Sequence, residues 1–278
     1  MPEGDTIAYA AHRMRPVLEG RVPDEIRAPH PRHTFDRWPS RLEGRAVRRV
    51  DTHGKHLFLR FEGGMVVHSH LGMTGKWGIY RGGRRWTRSA SRAWLVFQRG
   101  DDAVVQFDGP LLELITEGRS RFDQRLAALG PDVLAERFDH DRFLRRLRGD
   151  DPTRPIGDAL LDQRNVAGIG NIWKAEGCWE AEIDPWRRVR DVSDPEVLRV
   201  IDLVRPRMQL SAVEGPRTIA PRVYRRSGQP CPRCGTAVIA RAGGLGRSPS
   251  GLANAGPAPR PPAGDANRRT YWCPGCQR

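Results

Sequence analysis

The chain has 278 residues, enough for two modest domains that each bury a core. No run of eighteen apolar residues occurs, which excludes a membrane-spanning helix, and no apolar stretch follows a basic start, so a secretory leader is not expected. Forty-seven basic residues against 33 acidic ones leave a net charge of +14, which favours a polyanionic partner, nucleic acid first, over a merely solvated basic surface. Only Lys55, Lys76 and Lys174 are lysines, so nearly all of that charge is arginine.

The chain opens MPEGDT. Removal of Met1 leaves Pro2 with a secondary α-amine, and an α-amine titrates at about 7.7–8.0 rather than near the ~10.4 of lysine. Such an amine is partly unprotonated at neutral pH and can attack a sugar carbon to form an iminium, with the adjacent Glu3 moving the protons. A processed end leading into a helix explains the same six letters. Residues 5–18 read as an amphipathic helix, with Asp5 or Thr6 as cap and Ile7, Ala10, Ala11, Met14, Val17 and Leu18 on one face. From about 22 to 118 the pattern is β. KHLFLRF and MVVHSHL pair across EGG, RAWLVFQ and AVVQF across RGDD, and this density of short strands predicts a sandwich or barrel.

After LGPDVL (129–134) the pattern turns helical: FDHDRFLRRLR, PIGDALLDQ, NIWKAEGCWEAE and DPEVLRVIDLVRPRMQL. Residues 1–130, 131–226 and 227–278 are the expected domains. The last contains a Gly/Pro/Ala/Ser-rich insertion at 242–267 that cannot bury enough surface to order itself. Cys231-Pro-Arg-Cys234 and Cys273-Pro-Gly-Cys276 are two knuckles whose four thiolates complete a tetrahedral zinc site, preferred over a redox pair or two disulfides. With sulfur in all four positions no place remains for water, so this single zinc ion is structural. Cys178 reads as a buried core thiol.

Three further constellations can carry chemistry. Lys55, directly after a glycine at a strand entry, is either an ordinary exposed lysine or a cation near a phosphate. His68 and His70 share one strand face, close to His53 and His56, as core histidines, phosphate donors or, less well supported, metal ligands. In GIGNIWKAE, Asn171 opens a helix whose exposed amides suit an anion, although a tight helix–helix turn has the same spelling. In ANRRTYWCPGC, Arg268 and Arg269 enter the second knuckle, where a metal-fixed hairpin can hold them against phosphates.

PEG, HGKHL, HLGMTG, LLDQRNVAGIGN and CxxC…TYWCPGCQ, in this order over nearly the whole chain, resemble the formamidopyrimidine-DNA glycosylase/endonuclease VIII family. The resemblance implies an α+β protein of two domains. An N-terminal β-sandwich with an N-terminal helix is followed by a helical helix–two-turns–helix domain with a zinc finger, and damaged double-stranded DNA lies in the cleft between. It also implies a monomer without membrane or redox cofactor, acting in base-excision repair in the bacterial cytoplasm, at the nucleoid. Pro2 would be the nucleophile that displaces the base. Glu3 would protonate the sugar ring oxygen, Lys55 would assist at the backbone, and β- and δ-elimination would follow. Asn171, Arg268 and His70 would grip phosphates, and Met73 would fill the space left by the extruded base.

Where the purine branch of the family carries Arg-Arg-Phe-Gly, this chain has QFDGPLLELIT (106–116), and residues 211–230 are too short for a lesion-capping loop. Both point to an endonuclease VIII-like enzyme acting on oxidised pyrimidines. HLGM, common in the purine branch, keeps an 8-oxoguanine/formamidopyrimidine specificity as the alternative, and a non-catalytic zinc-ribbon protein that binds damaged DNA is the other. Thr6 stands where many members have a second glutamate. The knuckles lie further apart than the family pattern, a longer closure whose entropic cost grows only slowly.

Overall fold

The computed structural model describes residues 2–242 and 269–278; Arg268 and all of the 242–267 insertion except Ala242 lie outside the described residues. Met1–Ala128 with Ser211–Pro216 form one compact unit, and Leu129–Leu210 with Arg217–Arg278 form the other.

The first unit begins with α1 (Gly4–Leu18). Its expected apolar face is buried to the last residue: Ile7, Ala10, Ala11, Met14, Val17 and Leu18 are all at most 8% exposed. The expected cap is not found. Glu3 occupies the N-cap position in extended conformation without a side-chain cap bond, and Asp5 lies inside the first turn, where its carboxylate suits the positive end of the helix dipole. The β region contains β1 (Glu25–Arg27) and then, against expectation, two single-turn helices, α2 (Pro31–Phe35) and α3 (Trp38–Leu42). Each has a proline in its first turn, where a missing N–H costs nothing. Within α2 His33 is 1% exposed with its ring 4.3 Å from Trp38 of α3, and neither ring nitrogen has a hydrogen-bond partner. Burial, with the charges of His30 and Arg32, pushes its pKa down to about 4.

Strands β2 (Val47–His53), β3 (His56–Phe61), β4 (Met65–His70), β5 (Lys76–Tyr80), β6 (Ala93–Arg99), β7 (Asp102–Phe107) and β8 (Leu111–Thr116) complete two antiparallel four-stranded sheets, ordered β1-β6-β7-β5 and β2-β3-β4-β8. Both expected hairpins are present. Helix α1 packs on β2 and β3 of one sheet and on β5 and β7 of the other, so its buried stripe belongs to the same core as Leu57, Leu59, Leu95, Phe97 and Val104. Two short helices, α4 (Glu117–Arg121) and α5 (Gln124–Ala127), close this part of the chain.

The second unit contains α6 (His140–Arg148), α7 (Ile156–Leu161), α8 (Asn171–Glu180) and α9 (Asp194–Glu214), whose final residues from Ser211 cluster with the first unit. Phe143, Leu147, Ile156, Leu160, Ile169, Val197 and Ile201 make its core. Arg154, 7% exposed, ties the turns around α7 together through Asp150 at 2.6 Å, Asp162 at 3.1 Å and the Asp158 carbonyl at 2.9 Å. Finally β9 (Ile239–Ala242) and β10 (Arg269–Trp272) pair antiparallel beside the cysteine knuckles.

Candidate active site and finger

The start of α1 places Pro2 half-buried and Glu3 1% exposed, with the Glu3 carbonyl accepting from Ile7 N at 3.1 Å. With Met1 removed, Pro2 would carry a secondary amine beside the Glu3 side chain withdrawn from water, the pairing a proton-assisted amine attack needs.

Lys55 sits in the two-residue turn joining β2 to β3, after Gly54 at φ 56° and enclosed by the cross-strand pair His53 and His56. His70 faces His56 from β4, with ring centroids 4.8 Å apart. Burial first, then the charges of Lys55 and His68, push its pKa down to about 4, so the ring is neutral at physiological pH. Its Nδ1 accepts from Gly72 N at 3.2 Å, which leaves the proton on Nε2 as a donor. A neutral histidine locked in this tautomer can hydrogen-bond a phosphate oxygen without needing a charge.

Behind this strand end lies a polar chain that sequence reasoning did not assemble. His56 Nδ1 is 2.9 Å from His68 Nε2, and His68 Nδ1 is 3.5 Å from Glu113 Oε2 on β8. Glu113 in turn accepts from Arg125 at 2.9 Å. His68 itself is 1% exposed and stacks on Phe58 at 4.7 Å, which makes it a core histidine. The alternation of His56, Phe58 and His68, His70 hinted at a shared face; the register that pairs them is tertiary.

Met73 is 62% exposed on a stiff turn. Gly75 N donates to Leu71 O at 2.8 Å and Thr74 Oγ1 to Asp108 O at 3.1 Å, while a Cβ on Gly72 would meet Pro110 Cγ at 2.5 Å. An apolar side chain held out by a rigid turn can serve as a wedge between bases. Lys76, at the start of β5, donates to Thr87 Oγ1 at 2.9 Å.

In the second unit α8 is buried along almost its whole length. Asn171 opens the helix as expected; it is 6% exposed and its Nδ2 donates to Arg269 O at 3.0 Å. Lys174 is fully buried and donates to Thr270 Oγ1 at 2.7 Å. Glu176, 1% exposed, accepts from the backbone N–H groups of Arg222, Val223 and Tyr224 at 2.8, 3.0 and 2.9 Å. Trp179 Nε1 donates to Cys231 Sγ at 3.3 Å. Cys178 is the expected core thiol, with burial pushing its pKa up to about 12.

The sulfur atoms of Cys231, Cys234, Cys273 and Cys276 all lie within 4.8 Å of one another. Cys234–Cys273 and Cys231–Cys276 are separated by 3.4 and 3.8 Å. Four sulfurs on a tetrahedral zinc at ~2.3 Å would be about 3.8 Å apart, so the donor set and spacing fit. Cys231 N donates to Thr236 O at 2.8 Å, and Cys273 N to Gln277 Oε1 at 2.7 Å, which hold the knuckles in shape.

The two units have counterparts among known proteins. Residues 1–110 match the formamidopyrimidine-DNA glycosylase N-terminal domain, and residues 129–221 match the formamidopyrimidine-DNA glycosylase H2TH domain. In fold, the whole chain superposes on the crystal structure of the Lactococcus lactis formamidopyrimidine-DNA glycosylase bound non-covalently to DNA containing an abasic site, with TM-score 0.78, 23% identity and all of both chains covered.

The chain belongs to the formamidopyrimidine-DNA glycosylase/endonuclease VIII family. Among individual relatives, a probable endonuclease 8 2 of Streptomyces coelicolor is 38% identical, covering 100% of this chain and 94% of its own. A DNA-(apurinic or apyrimidinic site) lyase Nei2 of Mycolicibacterium smegmatis is 34% identical, covering 100% and 99%. The resemblance seen in the sequence and the α+β architecture it implied are therefore both found.

Proposed function

We propose that this chain is a bifunctional DNA glycosylase/AP lyase of base-excision repair that works through Pro2. The Pro2 nitrogen attacks C1′ of the damaged nucleotide and the C1′–N bond to the base breaks, the base leaving with a proton. Glu3 then protonates the ring oxygen O4′ as the C1′–O4′ bond opens, which leaves an iminium between C1′ and Pro2. The resulting iminium acidifies the C2′ hydrogen. Its loss expels the 3′ phosphate by cleavage of C3′–O, a second elimination expels the 5′ phosphate, and hydrolysis of the iminium by water frees Pro2. Lys55 neutralises and neutral His70 hydrogen-bonds the flanking phosphates, and Met73 occupies the gap in the stack. Asn171 and Arg268 grip phosphates from the second unit. In this division residues 1–130 carry the chemistry, while 131–226 and the finger of 227–278 hold DNA. Zinc bound by Cys231, Cys234, Cys273 and Cys276 is structural and enters no step. The protein acts as a cytoplasmic monomer.

The observation that carries this reading is the buried Glu3 beside Pro2 at the start of α1, in a chain whose relatives include a named abasic-site lyase. The substrate class follows from the branch: relatives named endonuclease 8, the missing Arg-Arg-Phe-Gly segment and the short 211–230 connection support oxidised pyrimidines. Borohydride trapping on duplexes containing thymine glycol, 8-oxoguanine or an abasic site tests both parts. An adduct mapped to Pro2, forming fastest on thymine glycol, is expected. Trapping on 8-oxoguanine alone would assign the purine specificity, and no adduct on any of them would overturn the mechanism.

A further inference from the structure

Helix α1 carries a second set of contacts on the face opposite its core stripe. At about 100° per residue, Asp5 and Tyr9 lie roughly 180° from the centre of the stripe formed by Ile7, Met14 and Leu18. That face should be wet. Instead Asp5 is 4% exposed and accepts a hydrogen bond at 2.5 Å from the hydroxyl of Ser211, itself fully buried in the last turn of α9. One turn further along both helices, the ring of Tyr9 lies against Gly215. A Cβ on this glycine would sit 3.2 Å from Tyr9 Cζ, and its φ of +108° is a conformation that favours glycine. Asp5 and Tyr9 are spaced i and i+4, as are Ser211 and Gly215, and the Gly215 N–H closes the final turn on Ser211 O at 2.9 Å.

We propose that this two-point clasp, Asp5 on Ser211 and Tyr9 on Gly215, is the device that positions Pro2 for attack; the inference rests on Pro2 being the nucleophile. A helix start leaves its first amides without intrahelical partners and frays unless capped, and α1 has no side-chain cap. Apolar packing holds only one side of the helix. The clasp holds the other, three residues after Pro2, and so fixes the rotation of the first turn and the direction of the nitrogen. Asp5 does not stand in for the second glutamate that Thr6 replaces. It points one residue, about 100°, around the helix from that position and spends its carboxylate on Ser211. Asp5, Ser211 and Tyr9 are positioning residues.

The test is single-turnover cleavage and borohydride trapping on an abasic-site duplex, with affinity measured separately on an uncleavable tetrahydrofuran duplex. For Asp5→Ala and Ser211→Ala the rate is expected to fall about 10- to 100-fold while the dissociation constant changes by less than about threefold, since misplacing a nucleophile costs rate before it costs binding. Asp5→Asn keeps an acceptor for Ser211 and is expected to stay within about threefold of the native rate. The pH–rate profile should keep its shape, because no titrating participant has been removed. Should either alanine variant fail to fold, Tyr9→Ala probes the second contact and is expected to lower the rate in the same way. Native-like rates in the alanine variants, an equal loss in Asp5→Asn, a shifted acid limb, or rate and affinity falling together would each overturn the clasp. Pro2→Gly, run in parallel, separates the cases: if native protein traps and Pro2→Gly does not, the nucleophile stands whatever the clasp does. If native protein does not trap, the parent reading fails first.

Discussion

Helices α1 and α8 both open beside a glycine and both carry candidate site residues at their first turn, yet they are anchored in contrasting ways. Helix α1 has a single apolar stripe, and on its other face Asp5 and Tyr9 meet Ser211 and Gly215. Helix α8 is buried from Asn171 to Trp179 except at Ile172, and its polar side chains are turned inward as fasteners. Asn171 and Lys174 hold β10, Glu176 holds the segment 222–224, and Trp179 holds the first knuckle. Under the proposed mechanism the reacting group needs an exact direction but also an approach for substrate, which suits the end of a helix. A finger too small for a core of its own borrows its rigidity from a neighbour. Chemistry should therefore fail through α1, and grip on DNA through α8.

The sharpest break is Pro2→Gly, expected to lower abasic-site cleavage by about 100-fold or more with little loss of binding, read by gel assay of product against complex. Next is the finger. Replacing Cys273 by Ser, or extracting the metal with a chelator, should unfold the knuckles and weaken DNA affinity by at least about tenfold, while the sandwich keeps its thermal transition. Mass spectrometry of the native protein should find one zinc. Glu176→Gln removes a buried charge that serves three amides, at a cost of about 1–3 kcal/mol, and should lower affinity without altering single-turnover cleavage of bound DNA. A fall in cleavage alone would erase the contrast between the helices.

The last effect is one of pH, felt only in acid. His33 and His70 both have folded pKa values near 4 against about 6.5 unfolded, so the unfolded chain binds more protons between these limits. Their contribution is complete above about pH 6.5, is lost as pH falls towards 4, and stays lost below. For His33 the drop is at most about 3 kcal/mol, and His33→Phe should flatten that part of a urea-melt series across pH.

What could be read from the sequence is what repeats locally. The 3.6-residue spacing in α1, the alternation and turns of both hairpins, and the CxxC pairs are patterns within a few residues, and the structure carries all of them. Unreadable were features that exist only once distant segments meet: Asp5 with Ser211, Glu176 with 222–224, and His68 with Glu113. The cap was misjudged because a side chain that suits a cap was claimed by a tertiary partner. The bond of Asn171 to Arg269 is likewise tertiary. Helices α2 and α3 are one turn each, too short for a periodicity, and their prolines read equally well as turn residues.

The scarcity of lysine has a chemical consequence at the far end of the reaction. The sugar that remains once a base is lost is an aldehyde in its open form, and any accessible amine will condense with it. Guanidinium groups, always protonated, will not. Lys174 is sealed in α8 and Lys76 is engaged with Thr87. A polycation made almost entirely of arginine thus attracts DNA across its surface while staying inert towards the aldehyde, so that under the proposed mechanism condensation is left to Pro2.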